Sequence, residues 1–268
     1  MTEQNERRLF GGLVENRVVQ VGETVRRPAG PWTATVQELL GHLQTKGFPA
    51  PAPLGLDDQG REVVTFLPGA AALRPWPAFL LTLDGMRQAA SLLRMYHTAV
   101  AGFVPSSNLW CHGEQDIAPE EIVLHGDFGP YNLIHDGQHL TGVIDWDLIR
   151  PGLPVEDAAF AATQLVPLRP DEIAQEIGFL SIPDRASRLA AFAEAYGSGL
   201  TSADLIAAAK TYGARDLAGM RVRGAAGREP WASFLRHGLA ERTASELSWL
   251  EGAFPAQSVV EDLRSRPA

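Results

Sequence analysis

The stretch Ile122 to Asp147, IVLHGDFGPYNLIHDGQHLTGVIDWD, decides how the chain is read. Ile122-Val123-Leu124 is a short apolar run that reads as a strand and delivers His125, Gly126 and Asp127 to a loop. Asn132 stands five residues after Asp127, and Asp145 thirteen residues after Asn132. Asn132-Leu133-Ile134 begins one strand and Gly142-Val143-Ile144-Asp145 ends another, with Asp136-Gly137 between them as a hairpin turn signal. Residues equidistant from such a turn face each other. The hairpin therefore brings Asn132 and Asp145 together at its open end, where the loop bearing Asp127 enters. Hard divalent cations such as Mg²⁺ take one or two carboxylates together with substrate phosphates and waters. An Asn carbonyl beside an Asp carboxylate suits that need, and a second carboxylate not spent on metal can accept a proton from a hydroxyl.

Outward from this segment the chain divides in character. Towards the N-terminus, Arg17 to Val21, Thr24 to Arg27 and Arg61 to Leu67 read as strands, with Gly22-Glu23 as a turn. One helix is predicted among them, capped by Thr33 or Thr35 and running to about Lys46. Val36, Leu39, Leu40 and Leu43 share its apolar face. Pro49, Pro51 and Pro53 form a stiff connector. Beyond Pro68-Gly69 the pattern turns helical, over Thr82 to Val100, Ala186 to Tyr196, Ser202 to Tyr212 and Trp231 to Leu250. Strands first and helices afterwards predict an α+β protein in two lobes, 1–68 and 69–268.

The order His125-Gly126-Asp127-x-x-x-x-Asn132 followed by Ile144-Asp145-Trp146 resembles the aminoglycoside phosphotransferase and choline kinase-like family. Protein kinases carry a related H-R-D-x-x-x-x-N and a later metal-binding Asp. Softer matches follow in the right order. Gly11-Gly12-Leu13-Val14-Glu15-Asn16-Arg17 is similar to the family's degenerate glycine turn, and Thr24 to Pro28 to its third strand. Val64 to Gly69 is similar to the hinge, and Leu92 to His97 to the helix before the catalytic loop. The resemblance covers roughly residues 10 to 160. It implies a protein-kinase-like fold with a small β-rich N-lobe and a larger, mostly helical C-lobe. It further implies ATP and Mg²⁺ as cofactors, Asp127 as the catalytic base, and Asn132 and Asp145 as metal ligands. Adenine would meet the hinge backbone at Thr65 and Leu67. A cation on the third strand would meet the phosphates; since lysine is absent there, Arg26 is the choice and Arg27 the fallback, with Glu38 on the next helix as its partner. His125 is read as an organiser of the loop, Trp146 as packing, and Asp157 as a brace.

Composition narrows the alternatives. The chain has 268 residues, 45% hydrophobic and 21% charged, with a net charge of −9. That describes a folding, acidic protein rather than a nucleic-acid binder. Cys111 is the single cysteine, so an internal disulfide is excluded. Lys46 and Lys210 are the only lysines, and neither stands in a phosphate loop. No membrane-length apolar run occurs, the polar start is unlike a signal peptide, and a cytoplasmic location is expected. The resemblance implies a small-molecule acceptor bearing a hydroxyl. Glu156, Asp171 and Glu172 lean towards a cationic acceptor such as an aminoglycoside, which would make antibiotic resistance the biological role. Two other readings stay open: a kinase-shaped regulatory protein without catalysis, and a metal-dependent hydrolase built from His125, Asp127, His135 and His139. The acceptor's identity, the choice of ATP over GTP and the oligomeric state are not written in the sequence.

Overall fold

A computed structural model describes residues 6–9 and 18–255. The similarity to a glycine turn at residues 11–17 falls outside the described residues. Strands β1 (Arg7–Arg8), β2 (Val19–Val21), β3 (Thr24–Pro28), β4 (Pro53–Leu56) and β5 (Arg61–Thr65) form one antiparallel sheet in the order β1-β2-β3-β5-β4. Helix α1 (Thr33–Thr45) lies between β3 and β4 in the chain, with Val36, Leu39, Leu40 and Leu43 wholly buried. Each such side chain contributes about 1.5–3 kcal/mol by leaving water. The expected side-chain cap does not form. Trp32 occupies the cap position, Thr33 accepts from the Gly30 amide, and the Thr35 hydroxyl donates to the Leu109 carbonyl. Gly47, at φ 67°, turns the chain out of the helix.

After the sheet, β6 (Ala70–Ala71) already belongs to the second half, pairing with β10 (Leu133–His135). Helix α2 (Ala78–Leu81) precedes α3 (Leu83–Val100), whose cap Thr82 accepts from the Gly85 amide at 3.1 Å. Two short hairpin strands follow, β7 (Leu109–Trp110) and β8 (Gly113–Glu114), and then β9 (Ile122–Leu124). A single 3₁₀ turn (Pro130–Asn132) leads into β10, which pairs with β11 (Leu140–Val143). Strand β12 (Arg150–Gly152) then pairs antiparallel with β9, Arg150 opposite Leu124. The two ends of the decisive segment are thus tied together, and everything from His125 to Ile149 projects from that knot.

The helices α4 (Pro154–Leu165), α5 (Asp171–Glu176), α6 (Arg185–Tyr196), α7 (Ser202–Ala225), α8 (Trp231–Arg236) and α9 (Leu239–Ala253) complete the chain. Helix α3 packs on α6, α4 on α7, and α7 on both α8 and α9. The single helix expected over Trp231 to Leu250 is two helices, because Gly238 takes a left-handed φ of 71° between them. Helix α7 runs past Tyr212 to Ala225. The result is the expected α+β arrangement, a small sheet-rich N-terminal part and a larger helical C-terminal part. No helix among the described residues is long and apolar enough to cross a membrane.

Candidate active site

Asp157, buried on α4, builds the loop after β9. Its two carboxylate oxygens accept from the amides of His125 at 2.7 Å and Gly126 at 2.9 Å, and His97 Nε2 lies 3.3 Å away. Burial alone would raise the Asp157 carboxyl, but His97, His125 and the loop amide outweigh it and hold it below the usual range. Asp157 is the brace expected. Gly126 takes φ 78°, and a β-carbon there would lie 2.3 Å from the Leu148 carbonyl oxygen, so glycine alone fits.

His125 is an organiser. It is fully buried, accepts from the Asp127 amide through Nδ1 at 3.3 Å and donates from Nε2 to the Ile144 carbonyl at 3.1 Å. Burial pushes its pKa down to about 4, so the ring is neutral at pH 7. Trp146 packs beneath it at 4.6 Å between ring centroids, against Tyr96 and Phe48. The hydrolase constellation does not assemble. His135 and His139 lie at the turn of the hairpin, against Phe79 and Asp136, while both nitrogens of His125 serve the backbone.

The hairpin brings Asn132 and Asp145 to one end. Leu133 faces Val143, and the Ile144 amide donates to the Asn132 carbonyl at 2.9 Å, leaving Asp145 one residue beyond. A bulge at Ile134/His135 absorbs the turn. Asn132 Nδ2 donates to the Asp127 carbonyl at 2.9 Å and to its carboxylate at 3.1 Å. The amide oxygen of Asn132 accepts nothing from the described residues, so it remains a hard donor beside the Asp145 carboxylate. This pair fits Mg²⁺ completed by phosphates and waters. Among the described residues no three His, Cys, Asp or Glu side chains gather into a protein-only cage.

Asp145 sits at φ 65°, a left-handed conformation that costs a non-glycine residue about 1–3 kcal/mol and concentrates at functional sites. Its carboxyl is raised by loss of solvation and by the Asp147 charge, against Arg27. Asp127 is pushed up to about 7, chiefly by burial and with the Asp145 charge adding, although Tyr131 and Asn132 hydrogen bonds oppose this. Tyr131, which the sequence reading passed over, donates its phenol to the Asp127 carboxylate.

On the sheet side the two arginines of β3 point opposite ways, as alternate strand residues must. Arg26, the expected phosphate ligand, donates to Thr24 and pairs with Asp57 at 3.6 Å. Arg27, the fallback, is the one that faces the site. Its guanidinium is 3.5 Å from Asp145 and 3.3 Å from Asp147, and it hydrogen-bonds Glu62. Burial would depress Arg27, but the charges of Asp147, Glu62 and Asp145 outweigh it and hold the group firmly cationic. Glu38 is not its partner, because Glu38 accepts from the Ser106 amide and hydroxyl instead. Glu62 directly opposes Arg27 across the β3–β5 ladder, and Gln37 of α1 donates to Glu62 at 2.7 Å. At the hinge, the Thr65 amide is spent on the Ala52 carbonyl, while Leu67 lies over Gly142.

The carboxylates behind the expectation of a cationic acceptor are largely neutralised. Glu156 bonds Arg150 at 2.9 Å and Arg215 at 2.7 Å, and Asp171 bonds Arg185 at 2.8 Å. Of the three, only Glu172 stands exposed without an arginine.

The fold and part of the sequence are shared with known proteins. A sequence model of the phosphotransferase enzyme family matches residues 107–206. The trifolitoxin immunity protein of Rhizobium leguminosarum bv. trifolii is 32% identical over 187 residues, covering 67% of this chain and 70% of its own. A choline/ethanolamine kinase family protein from Mesorhizobium loti superposes with a TM-score of 0.57 at 14% identity, over 92% of each chain. An aminoglycoside phosphotransferase of Streptomyces rimosus, solved with ADP and streptomycin, gives 0.53 at 15% identity over 75% of this chain and 89% of its own.

Proposed function

The chain belongs to the phosphotransferase enzyme family, and from that premise we propose that it moves the γ-phosphoryl group of ATP to a hydroxyl of a small molecule. One observation carries the reading: Asp127, Asn132 and Asp145 gather at one end of the β10–β11 hairpin, with the Asn132 amide bridging to Asp127. Asp127 orients the acceptor hydroxyl and accepts its proton as the oxygen bonds to phosphorus and ADP departs. Asn132 and Asp145 would hold magnesium, which would supply charge to offset that of the phosphates. Arg27 takes the phosphate role first given to Arg26 and grips oxygens with two N–H groups. The hinge backbone at Leu67 meets the adenine, the Thr65 amide being spent on the Ala52 carbonyl. Residues 1–68 form the nucleotide-binding lobe and 69–268 the lobe that carries the catalytic residues and binds the acceptor.

The test is a coupled ATP-consumption screen over hydroxyl acceptors with Mg²⁺. Asp127→Asn lowers turnover by roughly 10²–10⁴, the range for a positioned general base, and Asp145→Ala abolishes Mg·ATP-dependent activity. Turnover surviving both changes refutes these roles. Thermal stabilisation by Mg·ATP without turnover on any acceptor favours the regulatory, non-catalytic reading.

A further inference from the structure

The wall beside the catalytic loop is positively charged in a chain whose net charge is −9. It starts at Arg150, which sits opposite Leu124 at the base of the catalytic loop. Arg150 and Arg215 share the two carboxylates available there, Glu156 and Asp216. Two further arginines, Arg223 of α7 and Arg228 after it, have no carboxylate partner among the described residues. Both guanidiniums lie on the indole of Trp231, at 4.9 and 5.8 Å from the ring centroid. His112 meets the same indole edge-on at 5.1 Å, and its Nδ1 is buried with no hydrogen-bond partner among the described residues. Burial and the four arginines push His112 down to about 3, so the ring adds no charge. Cys111, next to His112, is within electrostatic reach of Asp147 as well as of Arg223 and Arg228.

Four arginines against two carboxylates leave a net excess of positive charge, Asp216 reaching Arg223 only at longer range. A cation against an indole gains only about 0.5–1 kcal/mol at an exposed site, which does not stand in for the missing counter-charges. A guanidinium pair of this kind matches a carboxylate or phosphate group, which it can bind through paired N–H donors. We infer that Arg223 and Arg228, held on Trp231, form the acceptor's anion subsite, so that the hydroxyl substrate carries a carboxylate or phosphate group. This rests on the phosphotransferase reading and replaces the cationic acceptor expected from sequence.

The test has one arm independent of catalysis. Inorganic phosphate is titrated at constant ionic strength against the full chain, its Arg223→Gln/Arg228→Gln variant, Arg27→Gln and the exposed control Arg221→Gln, with melting temperature as readout. A phosphate-dependent rise that persists in Arg27→Gln and Arg221→Gln but disappears in the double variant supports the subsite. No rise, or a rise that survives the double change, overturns it. In the second arm, sugar phosphates and hydroxycarboxylic acids compete with choline and an aminoglycoside as acceptors under Mg·ATP. Preference for one anionic set identifies phosphate or carboxylate as the group recognised. Its KM then rises about tenfold or more in each single arginine variant, with KM for ATP unchanged. Faster turnover of the cationic acceptors overturns the inference. Consumption with none of them, while the arginine-dependent phosphate effect stands, retires the kinase reading and the acceptor role but leaves the anion site.

Discussion

Arg27 and Glu62 face each other across the β3–β5 ladder and form a buried ion pair, Glu62 being wholly inaccessible to solvent. In protein kinases the corresponding strand cation pairs with a glutamate on a helix. Here the carboxylate has moved to the neighbouring strand, and the helix contributes Gln37, which donates to it. The pair holds Arg27 where the far end of its guanidinium reaches Asp145 and Asp147.

Returning the carboxylate to the helix tests that relationship. Glu62→Gln leaves Arg27 buried without its closest counter-charge and lowers unfolding free energy by about 3–5 kcal/mol. KM for ATP rises with it, since the guanidinium is then held only by the two cleft aspartates. Gln37→Glu in the same chain restores a carboxylate within reach of Arg27 and recovers a substantial part of both losses. Urea unfolding and nucleotide saturation curves read the two effects, and a double variant no better than Glu62→Gln would sink the assignment.

Tyr131 donates its phenol to Asp127, the carboxylate to which, under the proposed reaction, an acceptor hydroxyl donates during transfer. The phenol and the acceptor therefore compete for one oxygen. Tyr131→Phe lowers the acceptor KM and leaves kcat within a few-fold of its original value, as measured by initial rates over acceptor concentration. A fall in kcat of about 10² or more would instead give the phenol a part in proton transfer.

His112 stays neutral in the folded chain to a pKa of about 3, whereas an unfolded histidine protonates near 6.5. Its folded pKa is depressed, so the stability it contributes is complete above about pH 6.5 and is lost as pH falls from there towards 3. Stability declines by about 1.4 kcal/mol per pH unit for that one proton. His112→Phe keeps a ring against Trp231 and removes the linkage, so the acid limb of the stability curve flattens by about that slope. Chemical denaturation between about pH 6 and 4 measures it. His125, depressed to about 4 for the same reason of burial, retains its own share of the slope in the variant.

The roles of His125, Asp157 and Trp146 were readable before any coordinates, since each lies in or just beyond the short segment that organises itself. Tyr131 belongs to the same segment, but only the placement of its ring against Asp127 shows what the phenol does. The helix over Trp231 to Leu250 was read as continuous because its apolar residues keep helical spacing through Gly238, and only the backbone conformation there reveals the break. The cationic acceptor was read from Glu156, Asp171 and Glu172 as acidic residues, and their spacing does not show that Arg150 and the distant Arg215 share Glu156 or that Arg185 meets Asp171.

The sequence by itself determined the convergence of Asp127, Asn132 and Asp145. A hairpin's register is local, set by a turn a few residues from the groups it aligns, and no distant contact is needed to bring them together. Only the tertiary structure decided that Arg27 rather than Arg26 faces the cleft, that Glu62 rather than Glu38 holds it, and that Arg223 and Arg228 meet on Trp231. Those choices depend on which face of β3 is packed inward and on which helix lies against the catalytic loop. Such matters are settled by burial between segments remote in sequence, which local spacing does not encode.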